Sequence, residues 1–189
     1  MTCQNPVSFG CLDSNPAYPT PTITGGCETD AQATVSYSIA ANALPIGVST
    51  QVTATASVPG DPGSVLATCT FTATRNALVF DGFYAPLNTE GTDCSKNFKN
   101  SELTRLGQVI PIKFKTLCGG ISFGGGTPPT YEIESCIDQS IVKRGTFTFV
   151  SNEWHAQFNT GEQWVTTGKY VIHVKLQDGN TKKVAVRLK

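Results

Sequence analysis

The residues of this 189-residue chain that could support chemistry are seven cysteines, two histidines and one pair of closely spaced carboxylates. Glu132 and Glu134 are separated by one residue, so a strand would place both carboxylates on the same face. Such a pair can act in glycoside hydrolysis or bind Ca²⁺. Because the sequence shows no aromatic cleft beside the pair, we interpret it as part of a solvated acidic strand.

The two histidines are predicted to point away from the core. His173 is out of phase with Ile172 and Val174, and His155 follows Trp154 on the alternate face of a short strand. The sequence also contains no Gly-x-Ser-x-Gly elbow, no His-Glu-x-x-His pair and no Walker loop. We therefore predict that the chain is not an enzyme and has no catalytic residue.

The glycine-rich stretch at 119–126 is a candidate phosphate loop by composition only. A phosphate-cradling loop ends in Lys-Ser or Lys-Thr and opens a helix, whereas this stretch runs into Thr127-Pro128-Pro129-Thr130. We predict a long hairpin or intersheet loop and no cofactor-binding site. The one ion that we keep as an option is Ca²⁺, bound by carboxylates at the loops around Asp13, Asp30 or Asp61.

The cysteines predict disulfides rather than a metal site. They are scattered, with no Cys-x-x-Cys pair, and this spacing disfavours zinc. In a β-rich chain such cysteines indicate an oxidising environment. The first four are able to form two bridges in any of three connectivities; they are Cys3, Cys11, Cys27 and Cys69.

The remaining three cysteines can form one disulfide, which leaves one cysteine without a partner among them. Cys118 and Cys136 flank the Gly/Pro-rich loop, and we predict that they pair with each other. Cys94 is then a free or intermolecular thiol. A set of seven reduced and buried cysteines is the alternative.

The composition excludes several classes of protein. Lys plus Arg equals Asp plus Glu at 14 each, so no basic excess indicates a nucleic-acid partner. The apolar runs are too short to span a membrane. The chain is also too apolar and too evenly charged to be disordered. Thr, Val, Phe and Gly with interspersed Pro favour an all-β fold.

Period-two alternation predicts the strands. In the first part it covers 34–39, 52–58 and 68–74, where one face is coated by threonine. In the second part it covers 110–115, 147–149, 154–158, 170–176 and 184–188. Pro111 favours an edge position for its strand, and Asp178-Gly179 predicts a hairpin turn. We predict an all-β fold of two tandem immunoglobulin-like antiparallel β-sandwiches.

A change in charge places the domain boundary. Arg75 is the only basic residue in 1–76, where four carboxylates give a negative balance, whereas 77–189 has a positive balance. We therefore predict domains at 1–76 and 77–189. The boundary is apolar where a flexible linker would be polar, so the two domains are expected to pack closely. The aromatic residues Phe80, Phe83 and Tyr84 are predicted to lie at the domain junction.

Residues 1–76 resemble the hyalin-repeat (HYR) family of immunoglobulin-like extracellular modules. The segments that carry this resemblance are Thr2-Cys3-Gln4-Asn5-Pro6 with Cys11, the Gly26-Cys27 turn, Leu44-Pro45-Ile46-Gly47 with the strand after it, and Thr68-Cys69-Thr70-Phe71-Thr72.

Residues 77–189 resemble the PxKF domain of bacterial surface and secreted proteins. The matching segments are Phe80-Asp81-Gly82-Phe83-Tyr84, Pro111-Ile112-Lys113-Phe114 and Val174-Lys175-Leu176-Gln177-Asp178-Gly179. Together the two resemblances imply an extracellular, non-catalytic protein made of sandwiches.

We therefore expect a non-enzymatic structural or adhesive module, exposed on a cell or particle surface. Its expected partners are other protein subunits or surface ligands, with a homo-oligomer as one option, and neither nucleic acid nor a membrane span. The alternative is a phage virion protein, either a capsid decoration protein or a fibre domain. The segment that starts at Met1 lacks the basic and apolar regions of a signal peptide. An excised fragment would favour the cell surface, and a native start would favour the virion.

Overall fold

A computed structural model of the chain describes residues 1–23, 33–87, 94, 103–163 and 165–189. The chain forms two compact units, Met1–Ala77 and Leu78–Lys189. This division lies one residue after the boundary that the charge balance predicts. Within the described ranges no helix is long and apolar enough to cross a membrane. Cys27, Asp30 and Trp164 lie outside the described residues.

Four strands form one sheet in the first unit. They are β1 (Val7–Phe9), β2 (Thr34–Tyr37), β3 (Ser49–Val58) and β4 (Asp61–Arg75). The sheet order is β1-β4-β3-β2, with β1 parallel to β4 and the other pairs antiparallel. The alternation in β3 buries Val52, Ala54 and Ala56, while the threonines between them face outward.

The N-terminal segment supplies apolar side chains to the core of the first unit. Thr2 and Thr22 form a β-bridge at the two ends of this segment. Between them the Tyr18 ring packs 5.2 Å from Phe71 and 4.6 Å from Tyr37, measured between ring centroids. A disulfide between Cys3 and Cys69 links the segment to β4. The core is thus closed by a segment with little regular structure.

Ten strands form two sheets in the described part of the second unit. One sheet contains β5 (Leu78–Phe83), β7 (Val109–Cys118), β11 (Thr148–Val150) and β12 (Glu153–Asn159) in the order β11-β12-β7-β5, and β8 (Ile121–Ser122) pairs with β7. The other contains β6 (Leu103–Thr104), β9 (Thr130–Ser135), β10 (Ile141–Thr146), β13 (Gly168–Lys175) and β14 (Thr181–Leu188) in the order β10-β9-β13-β14-β6.

This strand order is that of an immunoglobulin sandwich. In immunoglobulin letters the first sheet reads D-E-B-A and the second reads C′-C-F-G-A′. The sheet of the first unit reads A′-G-F-C in the same letters. Tyr170, at the start of β13, donates its hydroxyl to the carbonyl of Thr166 at 3.0 Å, as in the tyrosine corner of these folds. The chain is therefore all-β, with two immunoglobulin-like units in tandem.

The predicted edge position of the proline-containing strand is wrong for part of its length. β7 lies between β12 and β5. Its pairing with β5 extends from Cys118 only to Phe114, whereas its pairing with β12 continues through Pro111 to Val109. Pro111 therefore lies where β5 no longer forms a ladder, so its missing N–H breaks no pairing with β5.

A hydrogen-bond chain crosses the core of the second unit. The Trp154 indole Nε1 donates to Thr116 Oγ1 at 2.9 Å, and Thr116 Oγ1 donates to the carbonyl of Phe123 at 2.8 Å. Trp154 is 1% exposed and Thr116 is fully buried. The hydroxyl thus satisfies the indole N–H and ties the glycine-rich loop to both strands.

We expect Thr116→Val to destabilise the second unit by about 1–3 kcal/mol, because the buried indole N–H and the Phe123 carbonyl both lose their partner. Urea denaturation followed by tryptophan fluorescence measures this change. Thr116→Ser keeps the hydroxyl and serves as the control, with a smaller loss. Equal losses in the two variants would contradict a role for the hydroxyl.

Removal of the Cys3–Cys69 disulfide by the double change Cys3→Ala/Cys69→Ala should destabilise the first unit by about 2–5 kcal/mol. The bridge closes a loop of sequence separation 66, and its loss gives the unfolded chain more conformations. Hydrogen exchange of the β3 and β4 amides reports the change for this unit alone. Cys94→Ala/Cys136→Ala, in the second unit, is the control and should leave these amides protected.

Candidate functional site

The outer face of the β10-β9-β13-β14 sheet collects charged and polar side chains. Alternation in β9 buries Tyr131 and Ile133, so Glu132 and Glu134 point to the other side. The same alternation in β13 and β14 turns His173, Lys175 and Lys183 outward. We call this surface the charged face; its members are Glu132, Glu134, Arg144, His173, Lys175 and Lys183.

Strand register arranges the face in two rows across four strands. One row is charged and runs Arg144, Glu132, His173, Lys183. The neighbouring row runs Thr146, Thr130, Lys175, Thr181. Directly opposed residues on neighbouring strands lie close enough for their side chains to interact. The face therefore presents ionic groups beside a row of three hydroxyls and one ammonium group.

Both carboxylates of the predicted pair are engaged by neighbouring strands. Arg144 Nε donates to Glu132 Oε1 at 2.6 Å. His173 Nε2 lies 2.7 Å from Glu134 Oε2. The prediction that the two glutamates share a face is confirmed by the burial pattern of β9. Each carboxylate thus has its own partner: Glu132 forms an ion pair with Arg144, and Glu134 forms a hydrogen bond with His173.

Two shallow depressions lie over these rows. One has a volume of about 360 Å³ and is lined by Thr130, Glu132, His173, Lys175 and Thr181. The other has a volume of about 390 Å³, shares Thr130 and Glu132, and extends over Arg144, Gly145 and Thr146. They share Thr130 and Glu132 and therefore lie side by side across the strands, and we call the two together the groove. Hydroxyl, ammonium and carboxylate groups line it.

The disulfide between Cys94 and Cys136 borders the opposite end of the face, at a depression that is also lined by Glu134, His173 and Lys183. This bridge corrects two expectations: Cys136 does not pair with Cys118, and Cys94 is not a free thiol. The six described cysteines are all disulfide-bonded, which also excludes the reduced set. Cys94 is bonded to Cys136, the residue that directly follows β9. The distance between cysteines along the sequence does not reveal this pairing.

A second polar cluster lies on the outer face of the other sheet. Lys115 Nζ is 3.7 Å from Glu153 Oε1 and 5.5 Å from the centre of the Tyr84 ring. His155 Nε2 is 3.3 Å from Glu153 Oε2, so this histidine faces away from the core, as predicted. Tyr84 donates its hydroxyl to Asp81 Oδ2 at 2.8 Å. Burial raises the pKa of Tyr84 to about 12, with further contributions from Asp81 and Glu153.

Two of the three aromatic residues predicted at the domain junction, Phe80 and Phe83, pack against the core of the second unit. The Phe80 ring centroid lies 5.0 Å from that of Phe83 and 5.5 Å from that of Phe114. Phe80 and Phe83 are only half-buried there. Their role at a junction, together with that of Tyr84, stays a prediction.

The glycine-rich loop is an intersheet connection, as predicted. It leaves β7, forms β8 and then crosses to β9 in the other sheet. A Cβ atom at Gly124 would lie 2.2 Å from the Phe149 ring, so glycine is required for this packing. The loop thus serves the fold.

The carboxylates considered for calcium are dispersed in the described residues. Asp13 Oδ1 accepts a hydrogen bond from the Asn15 amide at 3.1 Å, which is a local turn contact. Asp61 lies at the start of β4. Among the described residues no group of three or more His, Cys, Asp or Glu side chains is arranged to hold a metal ion.

Sequence reasoning missed the cationic members of the charged face. Arg144, Lys175 and Lys183 come from three strands that are separated along the chain. Their alternation with buried residues in β13 and β14 is a signal for outward orientation. It does not indicate that the strands lie side by side.

The ionisation of Tyr84 offers a direct test of the second cluster. Asp81→Asn should lower the pKa of Tyr84 from about 12 towards 10, because the phenolate no longer faces the Asp81 charge. The neutral phenol is favoured in the folded state, so this contribution to stability is present below pH 10 and is lost as the pH rises to 12. The difference in phenolate absorbance between the native chain and Tyr84→Phe isolates this residue.

As a control, Glu134→Gln on the other sheet should leave the Tyr84 titration unchanged. A Tyr84 pKa near 10 in the native chain would contradict the burial of its hydroxyl.

Comparison with known proteins yields solved structures only, since no family model and no curated protein matches the chain. Domains 4 and 5 of the S-layer protein SbsC are similar at 13% identity and a TM-score of 0.34, over 98% of this chain and 95% of that one. A titin fragment of three immunoglobulin domains is similar at 12% identity and a TM-score of 0.36, over 78% of this chain and 44% of the fragment. A Salmonella alpha-2-macroglobulin is similar at 15% identity and a TM-score of 0.40, over 94% of this chain and 15% of that protein. These likenesses are distant, and the fold assignment rests on the strand order.

Proposed function

We propose that the chain is a non-enzymatic structural or adhesive module, exposed on the surface of a cell or particle. The disulfide bonding of the six described cysteines is the observation that carries this proposal. Disulfides form and persist in oxidising environments such as the cell exterior and are rare in the cytosol. A fold by itself does not supply a function, so the cysteine chemistry rather than the sandwich supports the location.

The contacts of the two glutamates support a role without catalysis. Glu132 and Glu134, the strongest candidates for acid–base chemistry, are held by Arg144 and His173. In a glycosidase one of the two carboxyl groups must donate a proton while the other acts as base or nucleophile. Here each carboxylate instead contacts a basic side chain on a neighbouring strand, as in a cross-strand pair that stabilises a sheet.

We further propose that residues 1–76 belong to the hyalin-repeat family and residues 77–189 to the PxKF family. The motifs quoted above support these memberships. So does the division of the chain into two units next to the predicted boundary. Both families imply extracellular modules, in agreement with the disulfides.

The phage virion role is the alternative. An intermolecular thiol at Cys94 would favour this role, because it would bridge the subunits of an assembly. Cys94 is bonded to Cys136 within the chain. The module on a cell surface is therefore our first choice.

Immunogold labelling with antibodies raised against the folded chain tests the proposal. Labelling of intact source cells is the expected result, and labelling confined to released phage particles would favour the virion alternative. Labelling that appears only after the cells are permeabilised would overturn the surface location. Mass spectrometry of the extracted protein, alkylated before digestion, should find Cys3–Cys69 and Cys94–Cys136 oxidised in the same material.

A further inference from the structure

We propose that the groove across the charged face binds an acidic polysaccharide. Lys175, in the lining of the groove, and Lys183, which lies opposite His173 at its border, contact the carboxylate groups of this ligand. This inference rests on the proposed function, since it names the ligand class of an adhesive module. The groove lies over the two rows of the β10-β9-β13-β14 sheet and consists of the two neighbouring depressions, which share Thr130 and Glu132.

The charges of the groove favour an anionic ligand. Lys175 and Lys183 are exposed, and neither has an ion-pair partner among the described residues. Arg144 is neutralised by Glu132, and Glu134 lies against His173. Arg187, also exposed, follows Lys183 on the same side of β14. The free charge on this surface is therefore cationic, although the whole chain has no net charge.

The hydroxyl row favours a sugar over other anions. Thr130, Thr146 and Thr181 each offer one hydrogen-bond donor and two acceptor lone pairs, which suits sugar hydroxyl groups. Neighbouring strands lie about 4.8 Å apart, so the four-strand row is about 14 Å long and accommodates a short linear segment.

Two other macromolecular partners fit less well. Protein interfaces concentrate their energy in buried aromatic and Arg anchors. The groove is lined mainly by Thr, Lys, Glu and His side chains; its one arginine, Arg144, is exposed and paired with Glu132, and its one tyrosine, Tyr131, is already buried in the core. Single-stranded nucleic acid requires aromatic platforms for base stacking, and the lining of the two depressions provides one tyrosine, Tyr131, which is buried.

Binding of the full chain to immobilised polygalacturonate, a carboxylated polysaccharide, tests the proposal, with neutral dextran as the reference polymer. We expect salt-sensitive binding to polygalacturonate and none to dextran, because the exposed ion pairs are screened by salt. Lys175→Gln/Lys183→Gln should weaken the affinity about tenfold through the loss of two exposed ion pairs.

The matched control is Lys113→Gln/Lys189→Gln, which removes the same number of charges outside the groove. Lys113 lies on β7, in the opposite sheet. This control should keep the native affinity. An equal loss in both double variants would show that only net charge matters, and would overturn the assignment of the groove.

A change in the opposite direction provides a second readout. Glu132→Gln removes the carboxylate that holds Arg144, so a further cation becomes available in the groove. We expect this variant to bind polygalacturonate a few times more tightly. Glu153→Gln on the other sheet should leave the affinity unchanged. If Glu132→Gln binds polygalacturonate more weakly than the native chain, while circular dichroism shows that it is folded, the result would count against the proposal.

Three results would overturn the inference. They are absence of binding to polygalacturonate, equal binding to dextran, and binding to vesicles of anionic lipid without binding to the polysaccharide. The first would leave the proposed function intact if the antibodies still label intact cells. If the chain binds the polysaccharide but the antibodies label only permeabilised cells, the assignment of the groove stands and the surface location is rejected.

Discussion

Burial of one indole N–H imposes a constraint on the whole second unit. Trp154 lies in the centre of the sandwich, where water is not available to its Nε1 group. An unsatisfied buried donor costs about 1–3 kcal/mol, so a polar partner must enter an otherwise apolar core. Thr116 provides that partner from β7, and its own proton reaches the carbonyl of the loop that crosses between the sheets. The same hydroxyl thus links β12 to β7 and holds the glycine-rich loop that connects the two sheets.

The two faces of the sandwich follow from the same strands. Each strand that sends Ile, Val, Tyr or Phe to the core must send its other residues outward, because successive side chains alternate. In β9, β13 and β14 those other residues are largely Glu, His, Lys and Thr. Strand register then brings opposite charges together, and pairing of Glu132 with Arg144 leaves a cationic surplus at Lys175 and Lys183. The candidate site is therefore a product of register, and it requires no loop of its own.

The two disulfides each connect distant segments within one unit. Cys3 joins an N-terminal segment with few strands to the long strand β4. Cys94 is joined to Cys136, just after β9, by a bridge that borders the charged face. In both units the bond connects residues far apart in sequence, and it limits the unfolded chain more than a short loop would. Stability gained in this way depends on an oxidising surrounding, which links the energetics of the fold to its proposed location.

The sequence alone determined which way individual side chains point. The orientation of His155, His173, Glu132 and Glu134 was predictable because the alternation of a strand is a local property. Strand neighbours and disulfide partners were decided only by the tertiary structure. Pro111 lies in a strand that is interior over part of its length. Cys136 is bonded to Cys94, and Arg144 pairs with Glu132 on the neighbouring strand. These relations depend on which distant segments lie side by side, and a period of two contains no information about that choice.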